Sequence, residues 1–292
     1  MASRSKDISV DFFQARCDST DDIFPDILKS IMKLSAANRI WENEGRSFRL
    51  TYWSEAATYW SGVFVRFKEH PTIKLIRQND DTLNDMPVID GTRFGEMMCF
   101  CYFPKTNTVA VHNNRSAGAY TALVDYIKDY SDLADFDFAV MLNPDAWAQI
   151  EKMETIREIE VKLAIPTNSL SAFDRSDRST KELAKTAVNN RAEYVKIVMS
   201  SGYSRNGMEK ENTMGYISGL LKLGNRPEKL EVRGNDGYNT YPVNLIENRI
   251  KGKISVSYNG AYIQKEDIFN GIYDCYENNR RSIEAQYRVA SK

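Results

Sequence analysis

The segment IREIEVKLAIP, residues 156–166, alternates apolar and charged residues, placing Ile159, Val161, Leu163 and Ile165 on one side and Glu158, Glu160 and Lys162 on the other. An extended strand with one buried and one solvated face satisfies that alternation, and such strands are typical of antiparallel sheets. Runs of this kind recur between segments with helical spacing. The mixed order predicts an α+β chain of two mixed α/β subdomains, with largely antiparallel sheets and a long C-terminal helix, rather than a doubly wound parallel sheet. The pattern of strand, helix and strand restarts near residue 154, so the expected division is an N-terminal α+β domain, 1–153, and a C-terminal α+β domain, 154–292, with a basic surface.

Within the first part, ISVDFFQARC reads as a strand. Ile27, Leu28, Ile31, Met32 and Leu34 have near-helical spacing. RSFRLTYWSEA and YWSGVFVRFKEH read as neighbouring strands, and GEMMCFCYF and TVAVHNN as a hairpin joined by the turn residues PKTN. The polar run 77–93 between these pairs is expected to be a surface loop. AGAYTALVDYIKDYSDL is a helix with Leu123, Val124, Ile127 and Tyr130 on one side. After the strand FDFAVMLN, Asn143 is placed to cap a helix that begins at Pro144.

In the second part, strands are expected at AEYVKIVMS, EKLEVRG, NLIENRI and KISVSYN, and helices at DRSTKELAKTAVNN and EKENTMGYISGLLKL. The closing helix carries Ile268, Ile272, Cys275, Tyr276, Ile283 and Tyr287 at core spacing.

With 292 residues the chain can bury a sizeable core. Its 39 basic and 40 acidic residues nearly cancel, which excludes a globally basic mode of nucleic-acid binding and leaves only a local patch. The four cysteines show no CxxC spacing, so they are expected as reduced, mostly buried thiols, with neither a disulfide framework nor a thiolate zinc site. No run approaches about 18 apolar residues, and the first residues lack the apolar core of a signal peptide. A soluble protein in the cytoplasm of a bacterial host is the expectation.

Pro144-Asp145 followed by Glu160-Val161-Lys162 spells the PD…ExK order of Mg²⁺-dependent nucleases, in which two acids hold the metal and a lysine positions the attacking water. Asp145, Glu160 and Lys162 are therefore the candidate catalytic residues. A half-exposed strand accounts for the same letters, because its solvated face is charged anyway. With nineteen lysines and 40 acids in 292 positions, about two or three acid-x-Lys coincidences are expected by chance. The chain has one. His70 and His112, the only histidines, sit in no triad or metal spacing and are expected at turns or the surface. There is no phosphate-cradling glycine motif, and no cofactor or metal is expected.

Cations stand out more between 222 and 253. Lys222, Arg226, Lys229, Arg233, Arg249, Lys251 and Lys253 there exceed Glu228, Glu231, Asp236 and Glu247 by three charges. By parity Lys229 and Arg233 share a strand face, as do Arg249, Lys251 and Lys253 unless Gly252 breaks the register. Arg175, Arg178, Lys181 and Lys185 form a second group at a helix start. Such groups can neutralise phosphates, although ordinary solvated faces look the same.

From 94 to 288, the order of the hairpin, the helix, IREIEVKLAIP, AEYVKIVM, KLEVRGNDG and the helix EDIFNGIYDCYENNRRSIEAQYR resembles the phage-encoded exclusion proteins of the RexA family, with an architecture similar to RdgC. The DNA-binding component of the Kiwa defence system is a related possibility. The resemblance implies a non-catalytic homodimer that binds double-stranded DNA without sequence preference. Its setting would be phage exclusion or antiviral defence, beside a small multi-span membrane protein. The basic strand position that matches is Arg233, whereas a nearby basic position of the family corresponds to Asn235. Phosphate contacts are expected from Lys229, Arg233, Arg249, Lys251 and Lys253, with Arg178, Lys181 and Lys185 as further candidates. The alternatives are the Mg²⁺-dependent nuclease and a protein-binding regulator without DNA contact.

Overall fold

The computed structural model describes residues 4–17, 23–68, 74–76, 83–85, 92–133, 136–165, 178–221, 227–258 and 263–290. Their architecture is α+β, with every recorded strand pair antiparallel. An eight-stranded sheet runs in the order β14 (Lys251–Tyr258), β1 (Arg4–Arg16), β8 (Thr108–His112), β7 (Phe94–Phe103), β4 (Trp60–Lys68), β3 (Arg46–Glu55) and β2 (Trp41–Asn43), with β9 (Asp137–Val140) also pairing β1. A four-stranded sheet runs β11 (Tyr194–Ser200), β10 (Thr155–Ala164), β12 (Pro227–Asn235), β13 (Thr240–Asn244). The short strands β5 (Lys74–Ile76) and β6 (Leu83–Asp85) pair with each other.

Alternation along the first sheet feeds two apolar layers. One face, through Phe13, Leu50, Phe64, Phe100 and Val111, meets α1 (Ile23–Lys33) and α2 (Tyr120–Ser131). That layer continues without a break into the second half: Ile150 of α3 (Pro144–Lys152), Ile159 and Val161 of β10, Ala184 of α4 (Arg178–Asn189) and Ile217 of α5 (Lys210–Leu221) belong to it. The opposite face, through Ile8, Val10, Phe12, Cys99 and Cys101, is covered by α6 (Lys265–Ala290). Ile268, Ile272, Cys275, Tyr276 and Ile283 of α6 are buried there, as their spacing predicts, while the Tyr287 side chain lies outside the described ones. Tyr276 stacks on Phe103 with ring centroids 3.6 Å apart, and its hydroxyl pairs with that of Thr106 at 3.0 Å.

The expected division at 153/154 does not follow the strand pairing. β14 and α6 come from the second part, yet β14 pairs with β1 over Arg4–Asp11 and α6 seals the first sheet. Local expectations differ at three other places. The run 77–93 contains β6, with most of its remainder outside the described residues. TYPVN forms β13, whose position at the sheet edge tolerates Pro242. NLIENRI is a turn rather than a strand: the Asn244 side-chain oxygen accepts the backbone N–H of Ile246 and of Glu247. Asn143 caps α3 as expected, its side-chain oxygen accepting the Asp145 N–H at 3.1 Å.

Candidate nucleic-acid interface

The expected cations fall in three places. Lys229 and Arg233 lie on the open face of the four-stranded sheet, opposite the apolar layer. Cross-strand register puts like charges face to face there: Lys162 opposes both Lys229 and Lys196, and Glu160 opposes Glu231. Directly opposed like charges repel, so the cross-strand ion pairs of Glu160 and Lys162 run diagonally. Glu160 receives Lys229 and Lys196, each at 3.1 Å, Lys229 also reaches Glu231 at 3.2 Å, and Lys162 turns to Glu228 at 2.6 Å. Arg233 pairs with Glu231 at 3.3 Å and Glu158 at 3.8 Å. The Lys229 and Lys196 ammonium groups hold the Glu160 carboxyl below its ordinary range, and Glu160 in turn raises Lys229. On this face the cations are matched by acids.

That lattice also shows what the nuclease letters do here. Glu160 and Lys162 are engaged in separate ion pairs, while Asp145 sits in the first turn of α3 beside its Asn143 cap. Among the described residues, no group of three His, Cys, Asp or Glu side chains converges as a metal site would need.

Arg249, Lys251 and Lys253 occupy the second place, at the β14 end of the larger sheet. Arg249 forms a single bridge with Leu142 just before β14, and its guanidinium lies 3.9 Å from the buried Asp11 carboxylate of β1. Asn113 also donates to Asp11, at 3.2 Å. Gly252 preserves the alternation: its Cα hydrogen faces α6, where a Cβ would stand 2.0 Å from Cys275 Sγ. Lys251 and Lys253 consequently project from the other face, exposed and without a salt-bridge partner among the described residues.

A family model described as a family of unknown function, DUF6731, matches residues 3–285. The chain belongs to DUF6731. No curated protein and no solved structure matches it.

The third place in the DUF6731 chain is α4, which covers the apolar side of the four-stranded sheet and so lies across that sheet from Lys229 and Arg233. Arg178 is exposed at its first turn, and Lys185 pairs with Glu182 at 2.8 Å. Lys181, one turn before Lys185, is half-buried. Lys222, Arg226, Arg175 and His70 lie outside the described residues.

His112 departs from its expected surface position. It is buried at the end of β8, its Nδ1 has no hydrogen-bond partner, and burial followed by the nearby Lys6 charge lowers it to about 4. None of the four cysteines is in a disulfide, three of them are buried, and burial raises Cys99 to about 12. Among the described residues, no helix is long and apolar enough to cross a membrane.

Sequence reasoning passed over a cleft of about 530 Å³ where the two sheets meet. Asp11, Arg115, Tyr120, Glu228, Ile246 and Arg249 are among its lining residues. Arg115 is exposed and makes no salt bridge among the described residues. The one sequence signal was the polar, glycine-containing run HNNRSAGAY between a strand and a helix, a place where binding residues concentrate.

Proposed function

We propose that this DUF6731 protein binds double-stranded DNA through its phosphates, without sequence preference and without catalysis. The setting is phage exclusion or antiviral defence in the bacterial cytoplasm, where the protein acts as a homodimer beside a small multi-span membrane protein. The setting and the protein partners rest on the resemblance to the RexA-type exclusion proteins. DNA contact is supported chiefly by one observation: Lys251 and Lys253 project side by side from one strand, exposed and without a salt bridge among the described residues, with Asp11 opposite Lys251 in register. Two residues of strand spacing separate them by about 7 Å, which lets one backbone segment engage both.

Lys229 and Arg233 contribute less, because a phosphate has to displace Glu160, Glu231 or Glu158 from them first. Arg249 lies 3.9 Å from Asp11 and lines the cleft between the sheets rather than the β14 face. The weight of the interface therefore moves from Arg233 to the β14 pair, with Arg178 as an outlying contact.

Fluorescence anisotropy with random-sequence duplexes between 50 and 200 mM salt is the test. Each neutralised phosphate contributes about −0.9 to the slope of log K against log salt. Lys251→Ala with Lys253→Ala is expected to flatten that slope by about 2 and to weaken all sequences alike, while Lys229→Ala changes it little. Absence of binding at low salt, or an unchanged slope in the folded double variant, refutes the interface. Plasmid cleavage in Mg²⁺ that disappears in Glu160→Ala would refute the non-catalytic part. Light scattering on the purified protein tests the homodimer.

A further inference from the structure

Phosphate contacts along β14 leave the cleft beside the Asp11–Arg249 pair unused. Distant segments build it: β1 supplies Asp11, β7 and β8 supply Met98 and His112, the run into the first residue of α2 supplies Arg115 and Tyr120, the start of β12 supplies Glu228, and the turn before β14 supplies Ile246 and Arg249. Its volume, about 530 Å³, falls within the range of small-molecule sites.

The charges on its walls narrow the ligand class. Two guanidinium groups stand on separate segments, and each can fork onto phosphate oxygens. Two carboxylates stand in the same lining: Asp11, already engaged by Arg249 and Asn113, and Glu228, engaged by Lys162 on one side. A plain inorganic anion has no use for the carboxylates or for the apolar walls of Phe13, Tyr120 and Ile246. A plain hydrophobe has no use for the arginines. A molecule with a phosphate at one end and an amino-bearing aromatic ring at the other uses all of them. Carboxylates accept from exocyclic amino groups of bases, and the ring of a base needs an apolar wall, which Ile246 offers above the buried edges of Phe13 and Tyr120.

We propose that the cleft binds a nucleoside 5′-phosphate, with Arg115 and Arg249 on the phosphate, Glu228 accepting from the base amino group, and Phe13, Tyr120 and Ile246 lining the ring. The same chemistry is offered by a free nucleotide and by the 5′-phosphorylated end of a DNA strand. The pocket does not depend on duplex binding along β14, so either can fail without the other.

The test is calorimetric titration of the full chain with AMP, CMP and inorganic phosphate. AMP or CMP is expected to bind, and inorganic phosphate to bind more weakly than either. Arg115→Ala removes an exposed side chain with no salt bridge among the described residues and is expected to weaken the nucleotide by about tenfold or more, the loss of one charge-assisted contact. Ile246→Trp, which fills the cleft, is expected to abolish binding. Lys251→Ala with Lys253→Ala is expected to leave it unchanged. Competition by a 5′-phosphorylated oligonucleotide that its unphosphorylated form does not reproduce assigns the site to a strand end, and lack of competition assigns it to a free nucleotide. No nucleotide binding at millimolar concentration, or equal binding in Arg115→Ala and Ile246→Trp variants that melt as wild type does, overturns the proposal.

Discussion

Gly252 separates the two lysines of the β14 face and is where β14 rests on α6. A Cβ there would stand 2.0 Å from Cys275 Sγ but 3.8 Å from Cys275 Cβ. Carbon and sulfur need roughly 3.5 Å or more, so Gly252→Ala forces β14 and α6 apart by about 1.5 Å or drives Cys275 from its rotamer. Overpacking of this kind costs about 1–3 kcal/mol, partly offset by the reduced unfolded-state entropy of alanine, about 0.4–1 kcal/mol. A net loss of about 1–2 kcal/mol is expected. Cys275→Ala alone leaves a gap the size of a sulfur atom and costs about 1 kcal/mol. In the double variant the clashing sulfur is gone and the 3.8 Å contact is ordinary. Its stability should fall close to that of Cys275→Ala, with a coupling of about 1–2 kcal/mol. Urea unfolding followed by tryptophan fluorescence measures the three midpoints. Losses that add within about 0.5 kcal/mol would show that Gly252 does not face Cys275, and with it that Lys251 and Lys253 do not face outward together.

Other expectations follow from buried and paired groups. Burial lowers His112 to about 4, so the unfolded chain binds the extra proton first. Stability contributed by neutral His112 is complete above about 6.5, the ordinary histidine value, and is lost as pH falls toward 4; its ring proton signal should not titrate between pH 8 and 5. Native protein should release colour from a thiol reagent at pH 8 mainly through the half-buried Cys17, since burial raises Cys99, Cys101 and Cys275. Rapid labelling of all four would contradict the packing under α6. Glu160 is depressed by Lys229 and Lys196, so its stabilising effect is present above 4.5 and disappears as pH falls through its lower folded value. Glu160→Gln should therefore flatten the acid side of the stability profile, measured as melting temperature from pH 6 to 3.

Short-range pattern carried much of this fold. The alternation in β10 placed Ile159, Val161 and Leu163 inside, and α6 buries Ile268, Ile272, Cys275 and Tyr276 at the spacing the sequence shows. Asn143 and Pro144 marked the start of α3 because capping is a local interaction. NLIENRI misled because Leu245 and Ile250 are buried at the two ends of a turn, which imitates a strand's apolar content without its alternation. Parity showed that Glu158, Glu160 and Lys162 share a face and that Lys229, Glu231 and Arg233 share one. It could not show that β10 and β12 are neighbours, and neighbourhood decides whether those lysines are available or neutralised. The cleft was illegible for the same reason, since Asp11 and Arg249 stand more than two hundred positions apart and meet only through the pairing of β14 with β1.

That pairing has a consequence for how the chain is made. β1 leaves the ribosome first, yet its outer neighbour β14 and the covering helix α6 lie beyond residue 250. At about 5–20 residues per second, the delay is on the order of 10–50 s, during which β1 has an open edge and Ile8, Val10 and Phe12 have no cover. A nascent chain in this condition is a template for strand addition by other chains. Lysines on the late-arriving β14 do nothing to protect it in that interval, which makes translation speed and chaperone access determinants of yield for this fold.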